Sequence, residues 1–308
     1  MDMTQNKCCR HGASLRRRRR RRRKILRSII FSCSIIAVAV FVAVGSSMIR
    51  SGDGMTNKYD VEAGNNTYDN AVIENSKISE KNKIQNNQSM LDDIMNSTQY
   101  PKQLKDLALK NEEALEFVYD YPAEHVKEHT IDLTEEASMD SVPLFVQWDK
   151  RWGYEKYSGN FFAASGCGPT TLSMVVVYLT HNREASPIAV AKYSKEAGYS
   201  VDGSGSSWTL ISEGCRHYGV KAKAVALDES RMKAELDEGH PIVVNVGPGD
   251  FTDTGHFMVI TGYDDEGFSI NDPNSIGKSG KRWLFKNISS QIRAVWSMYC
   301  LLYTSPSP

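Results

Sequence analysis

The sequence predicts an α+β domain over residues 139–299, with an N-terminal helical part packed on an antiparallel sheet. Two observations carry this. The long apolar run from Pro169 to Tyr178, with helical character, comes early. The densest strand signals come late: HFMVITGYD from His256 and FSIND to Asp272, joined by an Asp265-Glu266-Gly267 turn. Helices first and strands clustered afterwards indicate segregated rather than alternating architecture.

The elements follow in order. VPLFVQW (142–148) reads as an opening strand. The helix at Cys167 follows, with Pro169 in the first turn, where its missing N–H costs nothing. A second helix starts after Ser186-Pro187 and ends at Gly198, and Ser200 to Ser207 is a Gly/Ser loop. Trp208 to Tyr218 reads as a helix stopped by Gly219. VKAKAVAL (220–227) is a strand, DESRMKAELDE (228–238) a helix ended by Gly239, and PIVVNVG (241–247) a strand. After the hairpin come KRWLF, a short helix near Asn287–Ile292, and a closing VWSMY strand.

The N-terminal third is organised differently. Residues 1–27 carry twelve Lys or Arg against Asp2 alone, so a net charge of zero hides a remainder that is negative by eleven. Arg16 to Arg23 are consecutive arginines, but an apolar stretch, residues 25–45, adjoins them. The pairing predicts a basic cytoplasmic tail (1–24) and a single transmembrane helix, with the following chain outside the cell. A cleavable signal sequence, cut near Ala43-Val44-Gly45, is the rival and would make the protein secreted. The arginine block is thus a topology signal and not a nucleic-acid arm. Residues 46–98 are rich in Asn, Ser, Lys, Asp and Glu, the composition of a disordered tether. Leu104, Leu107, Leu115, Phe117 and Val118 predict one or two short amphipathic helices within 99–138. The last residues, 300–308 (CLLYTSPSP), match the in-frame translation of a common transposon-based sequencing adapter, and are expected to be an artefact replacing the natural C-terminus.

Six cysteines, at 8, 9, 33, 167, 215 and 300, are too sparse for a disulfide framework, and no C-x-x-C pair suggests zinc. Cys167 stands apart, between two glycines at the mouth of a helix, where the positive end of the helix dipole favours a thiolate. Its bland alternative is an inert core cysteine. A cysteine nucleophile needs a base, and the base needs a group that fixes its tautomer. His181, His217 and His240 lie within elements or at a strand entry before proline, whereas His256 opens an apolar strand beside Gly255. Asp272 ends the partner strand of the same hairpin, so it returns to His256 and can orient the ring towards Cys167. Taken alone, Asp272 reads equally as a turn carboxylate before Pro273.

VPLFVQWDKRWG, SGCGPTTLSM, GHFMVITGYDD and NDPNS, in that order, resemble the C39-like peptidases of the papain-like cysteine peptidase group, over roughly Val142 to Tyr299. The resemblance implies a papain-like fold with Cys167 as nucleophile, His256 as base, Asp272 as orienting carboxylate and Gln147 as oxyanion donor. Papain-like enzymes keep that glutamine a few residues before the cysteine. Here position 161 is Phe and Gln147 lies twenty residues upstream, so its role requires the intervening loop to fold back. The implied activity is peptide-bond hydrolysis through a thioacyl enzyme, with no metal or organic cofactor, at the outer face of a Gram-positive-type bacterium. A cell-wall peptide hydrolase or transpeptidase with the same residues, and a catalytically silent peptide-binding domain, are the alternatives. Trp208 is expected as a core anchor or, failing that, at the groove's border. Expected partners are a peptide or protein substrate, cell-wall peptide among them, and the membrane.

Overall fold

The computed structural model describes residues 66–300, with side chains from residue 81 onward. The basic tail, the apolar span 25–45 and residues 301–308 lie outside the described residues. Among the described residues, no helix is long and apolar enough to cross a membrane.

Residues 87–300 belong to one compact unit. Its first element continues a helix, α1 (Asn66–Asn96), in a stretch whose composition predicted a disordered tether. The correction has a physical cause in the last turns. Met90, Leu91 and Ile94 recur at helical spacing and enter an apolar cluster with Leu104, Leu107 and Phe117. Two short helices follow, α2 (Lys102–Lys110) and α3 (Leu115–Tyr119). Their buried faces meet Phe161 and Ala163, residues shortly before Cys167. The Phe117 ring stacks on Tyr154 at 4.2 Å, and a Cβ at position 153 would lie 2.7 Å from it, so the close approach requires Gly153.

The opening stretch 142–148 is no strand. It runs without a ladder partner, and side chains hold it instead. Asn271 Nδ2 donates to the carbonyls of Val142 and Pro143 at 3.2 and 3.0 Å, and the Gln147 N–H donates to Pro273 O at 2.7 Å. Pro143, which has no N–H, suits a segment outside a ladder. The chain then turns through the small hairpin β1 (Lys156–Tyr157) and β2 (Asn160–Phe161) into α4 (Cys167–Thr180), whose residues from Gly168 to Val177 are all buried. α5 (Pro187–Glu196) packs against it, its first turn capped by Ser186 Oγ.

The expected Gly/Ser loop folds as a second small hairpin, β3 (Ser200–Val201) with β4 (Gly205–Ser206). The expected helix 208–218 divides into a turn at Thr209–Ser212 and a 3-10 segment at Gly214–Tyr218, ended by Gly219 at φ 72°. β5 (Val220–Ala224) is shorter than its apolar pattern, and α6 (Glu229–Asp237), capped by Asp228, leads to β6 (Ile242–Val246). β7 (His256–Asp264) and β8 (Gly267–Asn271) form the expected hairpin, followed by β9 (Arg282–Trp283) and β10 (Ile292–Cys300). The last strand starts three residues before the VWSMY pattern and ends at Cys300, which pairs with Val220 although the sequence assigned it to the foreign tail.

The six-stranded sheet has the order β5-β10-β6-β7-β8-β9, with every pair antiparallel. Both faces are covered. Val243, Phe257, Val259 and Met298 pack with α4, while Val244, Met258, Ile260 and Ile270 pack with Met232 and Leu236 of α6. The two-residue period of a strand divides neighbouring side chains between these cores. Truncating Phe117 to Ala should cost about 3–5 kcal/mol, the usual cost for a buried aromatic. Denaturant unfolding and limited proteolysis check this: residues 102–124 should be cleaved first, and a wild-type midpoint would contradict the packing.

Candidate active site

Cys167 is the first residue of α4 and is half-buried at its mouth. Its glycine neighbours answer to packing. A Cβ on residue 166 would lie 2.6 Å from the Phe162 ring, and one on residue 168 would lie 2.6 Å from Ser206 Oγ. Ser206 is itself held by the Tyr157 hydroxyl at 2.6 Å. The start of the helix is therefore wedged between the β1–β2 and β3–β4 hairpins.

His256 opens β7 opposite Val246 of β6. Thr171 Oγ1 on α4 donates to Phe257 O at 3.0 Å, which ties the helix of Cys167 to the strand of His256 one residue from the ring. In the β7–β8 register Val259 faces Asn271, so the start of β7 and the end of β8 share one edge. There His256 Nε2 meets Asp272 Oδ1 at 2.7 Å. This bond occupies Nε2, and the ring also lies within electrostatic reach of the Cys167 sulfur. Asp272 is fully buried, and its Oδ1 also accepts the Asn274 N–H at 2.8 Å.

Burial opposes both charges of the Cys167–His256 pair, yet their partners outweigh it. Burial alone would push the His256 pKa down; the Asp272 carboxylate and the Cys167 sulfur raise it from 6.5 to about 10. Burial alone would push the Cys167 thiol up; the His256 ring and the Phe257 and Gly168 backbones bring it below the ordinary 9.0. Cys215 provides the contrast within the same chain. Buried without a charged partner of comparable influence, its thiol is pushed up to about 11.

Gln147 joins Cys167 and His256 around one cavity of about 520 Å³. The loop does fold back: the Ala163 N–H donates to Gly153 O at 3.0 Å, and Gln147 Nε2 donates to Ala163 O at 2.7 Å. Phe161, where papain-like enzymes would have their glutamine, is instead buried against the N-terminal helices. The cavity's other walls are the 249–255 loop and one side of α2. Three other histidines serve elsewhere: His181 Nδ1 meets Ala137 O, His240 meets Glu235, and His217 stacks on Tyr193. Trp208 lies away from the cavity, 47% exposed, its ring edge-on to Trp296, so it is neither groove border nor core anchor. Among the described residues, no group of His, Cys, Asp or Glu is arranged to hold a metal ion.

Sequence reasoning missed Asn111 and Glu113, which hold the loop after Asp272. The Asx turn of Asp272 onto the Asn274 N–H was legible in the N-D-P-N string. No local signal could announce partners some 163 residues away.

No curated protein matches the chain. Two solved structures are similar at low identity. The peptidase domain of Streptococcus ComA, a bifunctional ABC transporter involved in a quorum-sensing pathway, is 19% identical with a TM-score of 0.35, covering 44% of this chain and 90% of that one. A candidate C39-like peptidase from Bacillus anthracis is 16% identical with a TM-score of 0.31, covering 55% and 97%. The family comparison matches residues 139–300, more than half of the 308 residues. On that match the chain belongs to the Peptidase_C39 like family.

Proposed function

We propose that this protein is a cysteine peptidase, held at the outer face of a bacterial membrane by residues 25–45, which hydrolyses peptide bonds with Cys167, His256 and Asp272. The observation that supports the reading is the imidazole of His256, hydrogen-bonded to Asp272 at 2.7 Å and coupled electrostatically to Cys167, with Cys167 and His256 both lining one open cavity.

The chemistry follows from these positions. The Cys167 thiolate attacks the substrate carbonyl, forming a C–S bond and moving charge onto the carbonyl oxygen. The Cys167 backbone N–H, at a helix start where no intrahelical acceptor exists, faces that oxyanion. Gln147 supplies the second donor: one Nε2 hydrogen is committed to Ala163 O, which leaves the other for the substrate. Each such donor contributes about 3–4 kcal/mol in comparable sites. The His256 imidazolium then protonates the departing amine, and the neutral ring activates water to hydrolyse the thioester. Asp272 keeps Nε2 protonated and Nδ1 facing the sulfur throughout.

Cys167→Ala should abolish turnover while retaining peptide binding, measured by mass spectrometry of the products from a peptide library; unchanged turnover would overturn the mechanism. The pH profile has a defined sign. Thiolate is present above the lowered Cys167 pKa, and imidazolium persists until pH rises through about 10, so activity should rise through the first limb, which lies below the ordinary 9.0 of a thiol, and fall through the second. In Asp272→Asn the ring loses its carboxylate, and the alkaline limb should move down from about 10 towards 6.5. An unmoved limb would mean that His256 does not titrate there. For the topology, protease added to intact cells should cleave between residues 46 and 98 and release the domain; full protection would place it inside.

A further inference from the structure

The loop that follows Asp272 is gripped by residues from outside the family-matched region. Glu113 Oε2 accepts the N–H groups of Ile276 and Gly277 at 2.7 and 3.1 Å, and its Oε1 accepts the Ser275 hydroxyl. Asn111 Nδ2 donates to Asn274 O at 2.9 Å and to Asn274 Oδ1 at 3.1 Å. The Asn274 N–H in turn donates to Asp272 Oδ1, the oxygen that also meets His256 Nε2. A continuous path of hydrogen bonds and backbone thus runs from Asn111 to the imidazole.

The other end of the grip is equally fixed. Asn111 caps the short 3-10 turn Glu112–Ala114 by accepting the Glu113 N–H at 3.0 Å. Ala114, Leu115 and Phe117, directly behind it, are buried with Phe161 and Ala163, and Ala163 O is the carbonyl that holds Gln147. One rigid support therefore carries both the glutamine side and the aspartate side of the cavity.

We propose that Glu113, together with Asn111, is a positioning residue for the site: its carboxylate clamps Ser275–Gly277 so that Asp272 stays seated on His256. The proposal rests on the peptidase reading above. A charged acceptor with three donors is a strong, directional restraint on a surface loop. Displacing a catalytic group by about 1 Å can cost on the order of a hundredfold in rate. Glu113 is solvent-exposed, so the clamp's main effect falls on geometry. Lys278 lies on the same loop, its backbone N–H donating to Ser275 Oγ, and Asp106, Lys110, Asp250 and Asp253 line the cavity with it.

The test needs no knowledge of the substrate. Iodoacetamide labels the full-length protein across a pH series, and mass spectrometry reads the rate at Cys167, with buried Cys215 as the internal check on folding. In Glu113→Ala the Cys167 profile should shift to higher pH by about one unit, a roughly tenfold slower rate on the acid side, while Cys215 stays protected. Glu113→Gln, which keeps one oxygen acceptor but turns an amide N–H2 on the loop's donors, should fall between and serves if the alanine variant unfolds. An unshifted Cys167 profile in both variants, against a wild type that reacts below the ordinary thiol range, overturns the clamp and leaves the peptidase reading standing. A wild-type Cys167 that reacts like an ordinary thiol overturns the peptidase reading, and the clamp's catalytic role falls with it.

Discussion

The site depends on one shared imidazole. His256 is almost fully buried, where a cation would ordinarily be unfavourable, and the fully buried Asp272 carboxylate and the Cys167 sulfur push its pKa up against that burial. The same burial acts on Cys215 without such compensation and pushes its thiol up to about 11. The opposite shifts of these two thiols thus depend on which side chains meet, since Cys167 and Cys215 share the residue type and the helical or near-helical setting.

The fold holds that meeting by joining three elements at one corner. α4 brings the sulfur, the first residue of β7 the ring, and the turn after β8 the carboxylate. A sheet covered on both faces cannot slip its register without exposing one of its cores, so the ends of β7 and β8 are held in place. The bond from Thr171 to Phe257 sets the helix against that register. The glycines around Cys167 serve the same end, since a side chain at either would push the helix off Phe162 or Ser206.

The boundary of the family match at residue 139 is not a boundary in the packing. α2 walls the cavity, and Phe117 shares a core with residues just ahead of Cys167. A segment that would be only marginally helical in isolation is stabilised here by the domain it covers.

From the sequence alone, the α+β class, the β7–β8 hairpin and the meeting of His256 with Asp272 were legible, because each rests on local pattern or on a short hairpin that brings its own ends together. The opening 142–148 stretch misled, since its alternation signals an extended chain but not whether a neighbouring strand exists to pair with it. The last turns of α1 misled in the opposite sense: three apolar residues in a polar run acquire meaning only beside Leu104 and Leu107. Tertiary structure alone decided that Gln147 reaches the cavity from twenty residues upstream and that Asn111 and Glu113 hold the Asp272 loop. Those contacts join positions far apart along the chain, and hydrogen bonds of that kind leave no periodicity in the sequence from which to read them.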